Sequence, residues 1–177
     1  MGFHHVAIAA RDIQATHRFY ADAMGFELIK AVVAPTPSGG WAKHVFYDTG
    51  GDGLIAFWDL HDPKMAGFDP SISTGLGLET WVNHIAFAAS DLDDIAARRD
   101  RMLDNGHDVM EIDHGFCVSI YTMDPNGIMV EFCTDTKPYT DDDRAYALAV
   151  LTAAEPELEA PPDPVFHKAR AATPAPA

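Results

Sequence analysis

The chain has 177 residues, 47% of them hydrophobic, enough to fill one domain's core or two half-sized units that share one. Twelve basic against 27 acidic residues leave a formal charge of −15, which repels phosphate backbones and anionic lipid and disfavours nucleic acid and membrane surfaces as partners. The N-terminus enters a strand-like pattern at once, no window approaches the length of a membrane span, and Cys117 and Cys133 are too few for a disulfide framework, so a soluble cytoplasmic protein is expected.

Taken in order, the chain repeats itself. The run His5-Val6-Ala7-Ile8-Ala9-Ala10-Arg11-Asp12 is echoed 79 residues later by His84-Ile85-Ala86-Phe87-Ala88-Ala89-Ser90-Asp91. Each run is dense in apolar residues, as a buried strand is, and each ends on an aspartate suited to cap a helix. After Asp12, the residues Ile13, Thr16, Tyr20, Ala23 and Met24 fall at helical spacing until Gly25. After Asp91 the apolar stripe is Leu92, Ile95, Ala96, Met102 and Leu103, up to Gly106. The charged run Arg98-Arg99-Asp100-Arg101 is expected to lie towards water. Three strands are predicted after each helix, over 26–33, 43–48 and 54–59 and again over 107–112, 116–123 and 128–134. Strand, helix, strand, strand, strand therefore occurs twice, which predicts an α+β fold of two tandem βαβββ modules, residues 3–60 and 81–134. The connection over 61–80 is rich in Gly, Pro and Ser from Asp62 to Glu79 and reads either as a flexible linker or as a loop covering a site. In the tail, 135–177, a helix is predicted over 141–154 and an extended or mobile end beyond it, where half of the 12 prolines fall.

The chemistry concentrates on the strands. Asp124-Pro125-Asn126-Gly127 suits a type I turn followed by a bulge, and the three-residue hairpin it closes sets Tyr121 opposite Glu131. Glu131 stands in the apolar strand Ile128-Met129-Val130-Glu131-Phe132-Cys133, where an unpaired carboxylate is strongly disfavoured and a metal ion would relieve the penalty. His5 and His84 are imidazoles at equivalent positions of the two copies. A lone strand histidine is more often a core residue with its ring nitrogens bonded, and a lone glutamate can pair with Lys or Arg. Two His and one carboxylate on a curved sheet nevertheless make a ligand set with open positions for water or substrate.

As a set these residues resemble the vicinal oxygen chelate superfamily, which includes glyoxalases, fosfomycin-resistance proteins, extradiol dioxygenases and metal-free bleomycin-resistance proteins. The resemblance covers residues 3–134. It is carried by His5-Val6-Ala7-Ile8 leading to Asp12, Phe19-Tyr20 before Gly25-Phe26, His84-Ile85-Ala86-Phe87 leading to Asp91, and Asp124-Pro125-Asn126-Gly127 leading to Glu131. It implies paired modules forming a cup-shaped mixed sheet that binds a divalent metal, with His5, His84 and Glu131 at the ligand positions. Glyoxalase-like members take a fourth ligand from the last strand of the first module. Matching Gly53 to Gly127 puts Phe57 there, and an aromatic ring cannot ligate.

Three protein ligands resemble the extradiol dioxygenases, in which a Tyr ten residues before the ligand Glu bonds the substrate hydroxyl, as Tyr121 stands to Glu131. The base those enzymes use has no counterpart in Gly51-Asp52-Gly53-Leu54. His61 and His114 are the candidate acids or bases, while His4, His17, His44, His107 and His167 are read as structural or surface residues. The expected cofactor is a divalent metal, Fe(II) or Mn(II) in preference to Zn(II) or Ni(II). The expected partner is a small molecule. Pairing of the modules within one chain is preferred, and a homodimer is what the family implies. The rival functions are a glyoxalase-like lyase, isomerase or epimerase and a metal-free binding protein.

Overall fold

A computed structural model describes residues 2–51 and 53–170; the Ala-Thr-Pro-Ala-Pro-Ala end lies outside the described residues. The elements are β1 (His5–Ala10), α1 (Ile13–Arg18), β2 (Glu27–Pro35), β3 (Trp41–Gly51), β4 (Gly53–His61), β5 (His84–Ala88), α2 (Leu92–Asp104), β6 (Val109–Asp113), β7 (Cys117–Met123), β8 (Met129–Asp135), α3 (Asp141–Thr152) and β9 (Val165–His167). The α+β class and the tandem βαβββ order are as expected. The strands divide into two mixed sheets, ordered β1-β4-β3-β2 and β5-β8-β7-β6-β9.

Both helix starts follow from their aspartates. The Asp12 carboxylate accepts from the amides of Gln14 and Ala15, and that of Asp91 from Asp94 at 2.8 Å. The first helix is regular only to Arg18, then continues as a π-helical turn, Phe19–Ala23, closed by the Met24 amide on the Phe19 carbonyl. Phe19, Tyr20, Ala23 and Met24 all reach the core, on the stripe that helical spacing puts on one face.

Strand alternation gives each sheet one face towards a shared core. Val45, Tyr47, Ile55 and Phe57 of the first sheet meet Ile120, Val130 and Phe132 of the second through the helices. The Asp124-Pro125-Asn126-Gly127 turn fastens the modules together. The buried Asp124 carboxylate accepts from the amides of Asn126 and Ile128, both at 2.8 Å, and from Tyr20 Oη at 3.1 Å, while Asn126 Oδ1 accepts from the Arg11 amide at 2.9 Å. Burial raises the Asp124 carboxyl above its ordinary range although these donors pull it down.

Two expectations about exposed segments are corrected. Arg98 and Arg99 do not simply face water: Arg98 lies over the Phe132 ring and bonds Asp94 at 2.8 Å, and Arg99 reaches Glu111 at 2.9 Å. Long side chains bury their stems while their charged ends find partners. The extended tail is also more ordered than its prolines suggest, because β9 adds antiparallel to β6 and the Arg170 guanidinium bonds Asp100 and Asp104. Of the two readings of residues 62–79, the flexible linker fails. Ser71 Oγ donates to the Gly127 carbonyl at 2.9 Å, and Asn83 Nδ2 donates to the Ile72 carbonyl. The loop therefore holds the start of β5, where His84 sits.

Candidate functional site

The site is built on the sheet faces turned away from the shared core. In the second module the register sets Ala86, Glu131, Tyr121, Met110 and Phe166 side by side across β5, β8, β7, β6 and β9. The neighbouring row begins His84, Met129, Met123. Tyr121 stands opposite Glu131, as the hairpin predicts.

His84 and Glu131 meet directly, with Nε2 3.1 Å from Oε2. Nδ1 of the same ring lies 3.0 Å from the Trp81 carbonyl, which can only accept, so Nδ1 carries the hydrogen. Nε2 of that ring faces a carboxylate oxygen. Two acceptors at this distance are held only by positive charge between them, either a proton or a metal cation. A ring nitrogen bonded to a backbone carbonyl while the other faces a carboxylate is the arrangement of a metal-ligating histidine, and Glu131, 5% exposed, is otherwise a buried anion.

Tyr121 extends this group. Its Oη is 3.0 Å from Nε2 of His114, which precedes β7. Burial, with the Glu131 charge adding to it, pushes the phenol up to about 12, so it remains a hydrogen-bond donor at neutral pH. His84, Glu131, Tyr121 and His114 are thus brought together.

His5 and His61 are not. His5 lies on the first sheet, its Nδ1 2.8 Å from His4 Nδ1 and its ring packed edge-on against Phe46. Edge strands β1 and β5 do not hydrogen-bond to each other; a cleft of about 530 Å³ opens between them, with Phe3 and Val6 on one side and His84 to Ala88 on the other. Among the described residues no three His, Cys, Asp or Glu side chains form a group able to hold a metal. His61 pairs across from Trp41, roughly 20 Å along β4 from the partner of His5. It stacks on the Trp41 ring at 3.8 Å and bonds Asp59 at 2.9 Å. Burial raises the Asp59 carboxyl, but hydrogen bonds from His61 and Lys43 hold it below its ordinary range.

The register corrects the comparison between modules. His84 pairs with Met129 and Ala86 with Glu131, whereas His5 pairs with Leu54 and Ala7 with Ala56. The first-module counterpart of Glu131 is therefore Ala56, not Phe57, which faces the core and is fully buried. The irregular register between Asp48 and Gly51 puts Gly53 one position out of step with Gly127. A methyl group cannot ligate either, so the first module still supplies no carboxylate there.

His44 was read from sequence as structural, yet it shares a sheet face with His5. The registers His5 to Leu54 and His44 to Trp58 give both the same parity, and the two ring centroids are 6.0 Å apart. It is 7% exposed, stacks on Trp58 at 3.8 Å, and its buried Nε2 has no hydrogen-bond partner among the described residues. Burial, followed by the proximity of His5, lowers its pKa. Laying β3 on β7 would have flagged it, since His44 falls where the second module carries Ser119.

The family model described as the Glyoxalase/Bleomycin resistance protein/Dioxygenase superfamily matches residues 2–132. No curated protein sequence matches the chain. Among solved structures, a glyoxylase/bleomycin resistance protein/dioxygenase domain from Frankia sp. EAN1pec superposes with a TM-score of 0.57 at 16% identity, covering 76% of this chain and 98% of that one. The fosfomycin resistance protein FosX from Listeria monocytogenes gives 0.52 at 18% identity, with 81% and 98% covered. TnmS3, an antibiotic binding protein from Streptomyces sp. CB03234, gives 0.51 at 15% identity, with 77% and 97% covered. These likenesses concern the fold.

Proposed function

The chain belongs to the glyoxalase, bleomycin resistance protein and dioxygenase superfamily, and from that premise we propose a metal-dependent enzyme that grips two adjacent oxygens of a small substrate, most like an extradiol ring-cleavage dioxygenase. The observation that carries this reading is the His84 ring, with Nδ1 on the Trp81 carbonyl and Nε2 3.1 Å from the Glu131 carboxylate. His84 and Glu131 fit a divalent cation in donor chemistry, with His5 completing the set from across the cleft; Fe(II) or Mn(II) suits this set, and Zn(II) or Ni(II) is accepted by the same donors. When bound, such a cation supplies chelation of vicinal oxygens and acidification of a substrate hydroxyl.

The chain's own residues do the rest. Tyr121, protonated and next to Glu131, donates to a substrate oxygen and stabilises charge developing there. His114, hydrogen-bonded to that phenol, exchanges a proton with it and fills the part of the base that the first module lacks. Loop residues 62–79 fix the backbone that presents Trp81 and His84.

A metal-free binding role, of the kind named for TnmS3, is the second reading, favoured by the separation of His5 from the other two donors. The metal content of protein purified without chelator, beside a His84→Ala variant, decides between them. Stoichiometric metal in the parent and little in the variant is expected; none in either, with no uptake on reconstitution, leaves the binding protein. Oxygen consumption with a catechol panel by the Fe(II)-loaded protein, reduced at least about a hundredfold in Tyr121→Phe, then separates ring cleavage from a non-redox lyase or isomerase. Mixing His5→Ala and His84→Ala chains tests where the ligands come from: regained metal binding marks a set drawn from two copies of a homodimer.

A further inference from the structure

Strand β9 belongs to the 165–167 segment, beyond the residues the family model matches, yet it extends the sheet that carries His84 and Glu131. Its Phe166 pairs with Met110, which pairs with Tyr121, which pairs with Glu131. A cleft of about 340 Å³ lies over the Phe166, Met110 and Tyr121 part of this row and is also lined by Met123, Met129 and His167; it stops one strand short of Glu131. Its rim on the β9 side is fastened by Lys168 on Asp108 at 2.7 Å, with the Ala169 amide on the same carboxylate.

We infer that this cleft is an apolar subsite holding a ring-bearing body of the substrate, next to the chelating end, and that β9 sets its specificity. This rests on the reading of His84 and Glu131 as the chelating end. Three thioethers and two aromatic rings supply most of the exposed wall, with Asp108, Thr122, His167 and Lys168 at its edges, and unbranched methionines adapt to flat rings with favourable sulfur to ring contacts. The volume lies at the lower end of small-molecule sites, room for one or two fused or linked rings. At about 4.8 Å per strand, Phe166 lies about 14 Å from Glu131 across the sheet, the reach of a chelating head joined to a phenyl or naphthyl body. Phe166 itself is 69% exposed, so its ring is open to a ligand lying in the cleft.

The subsite is separable from the metal centre by a probe that cannot chelate. In the metal-free full-length protein labelled with methyl-¹³C methionine, 4-phenylphenol is expected to shift the Met110, Met123 and Met129 signals saturably, each assigned by a Met→Leu variant. In Phe166→Ala the affinity should fall about tenfold, and Phe166→Leu should recover most of it. Absence of a saturable shift in the parent overturns the subsite, whatever the metal content. An unchanged affinity in Phe166→Ala, with melting temperature also unchanged, overturns the role of β9. In the Zn(II)-loaded protein 4-phenylcatechol should bind about tenfold more tightly than catechol. Loss of catechol binding altogether, with the 4-phenylphenol shifts intact, counts against the chelating centre and leaves the subsite standing.

Discussion

The two modules carry the same topology and opposite chemistry. Position for position, the second has Glu131 where the first has Ala56, Tyr121 where the first has Phe46, and Ser119 where the first has His44. On one sheet the carboxylate, phenol and imidazole sit together; on the other they are replaced by methyl and phenyl groups around His5 and a stacked His44. The repeat supplies a common scaffold, and divergence at a handful of positions on one face decides which copy carries the polar groups of the candidate site. Phenyl for phenol is a small change in volume and removes a hydroxyl donor from that point of the sheet.

Breaking the scaffold should cost most. Phe57 is fully buried among Tyr20, Tyr47 and the shared core, so Phe57→Ala should lose about 3–5 kcal/mol of stability in denaturant titrations. Were Phe57 on the chelating face instead, its truncation would alter ligand binding and leave stability nearly unchanged. Next comes the chemical asymmetry. Glu131→Gln keeps the shape but removes the charge opposite His84, and should weaken metal binding by about a hundredfold or more in competition with a chromophoric chelator. Unchanged affinity would remove Glu131 from the ligand set. Tyr20→Phe tests the clasp between modules: the buried Asp124 carboxylate loses one donor, and about 1–3 kcal/mol of stability should go with it.

How much of this was legible depended on what the sequence repeats. His5, His84 and both capping aspartates could be found because they recur 79 residues apart, and Tyr121 could be set opposite Glu131 because Asp124-Pro125-Asn126-Gly127 dictates the hairpin register. The error over Phe57 arose where register is least encoded, at a bulged glycine hairpin, and a one-residue slip moves a side chain to the other face. His44 was missed because its meaning depends on Trp58 and His5, which are distant in sequence and share a sheet face only after folding. The β9 strand could not be read either: Val165-Phe166-His167 is three residues long, lies among prolines, and becomes a strand because the β6 edge is there to pair with it. The His84 to Glu131 contact follows from the fold; the separation of His5 from it was not expected from the spacing.

The smallest effect probes a pair of residues that the two modules place alike. Gly25 and Gly106 each end a helix with positive φ, 78° and 84°, and each is followed by an aromatic residue that reaches across to the other module. Phe26 packs on Phe87 and Phe132, while His107 packs edge-on against Phe19 at 4.9 Å. Only the second of these can titrate. Burial lowers the His107 pKa from its ordinary value of 6.5, so below pH 6.5 the unfolded chain binds more protons at this site than the folded one, and its contribution to stability is lost as the pH falls through that window. His107→Phe makes the second module resemble the first and removes this dependence. Urea midpoints at pH 7.5 and 5.5 should therefore fall further on acidification in the parent than in the variant. Equal slopes would mean that His107 accepts a proton within the fold, and that the contact with Phe19 loosens more readily than its counterpart around Phe26.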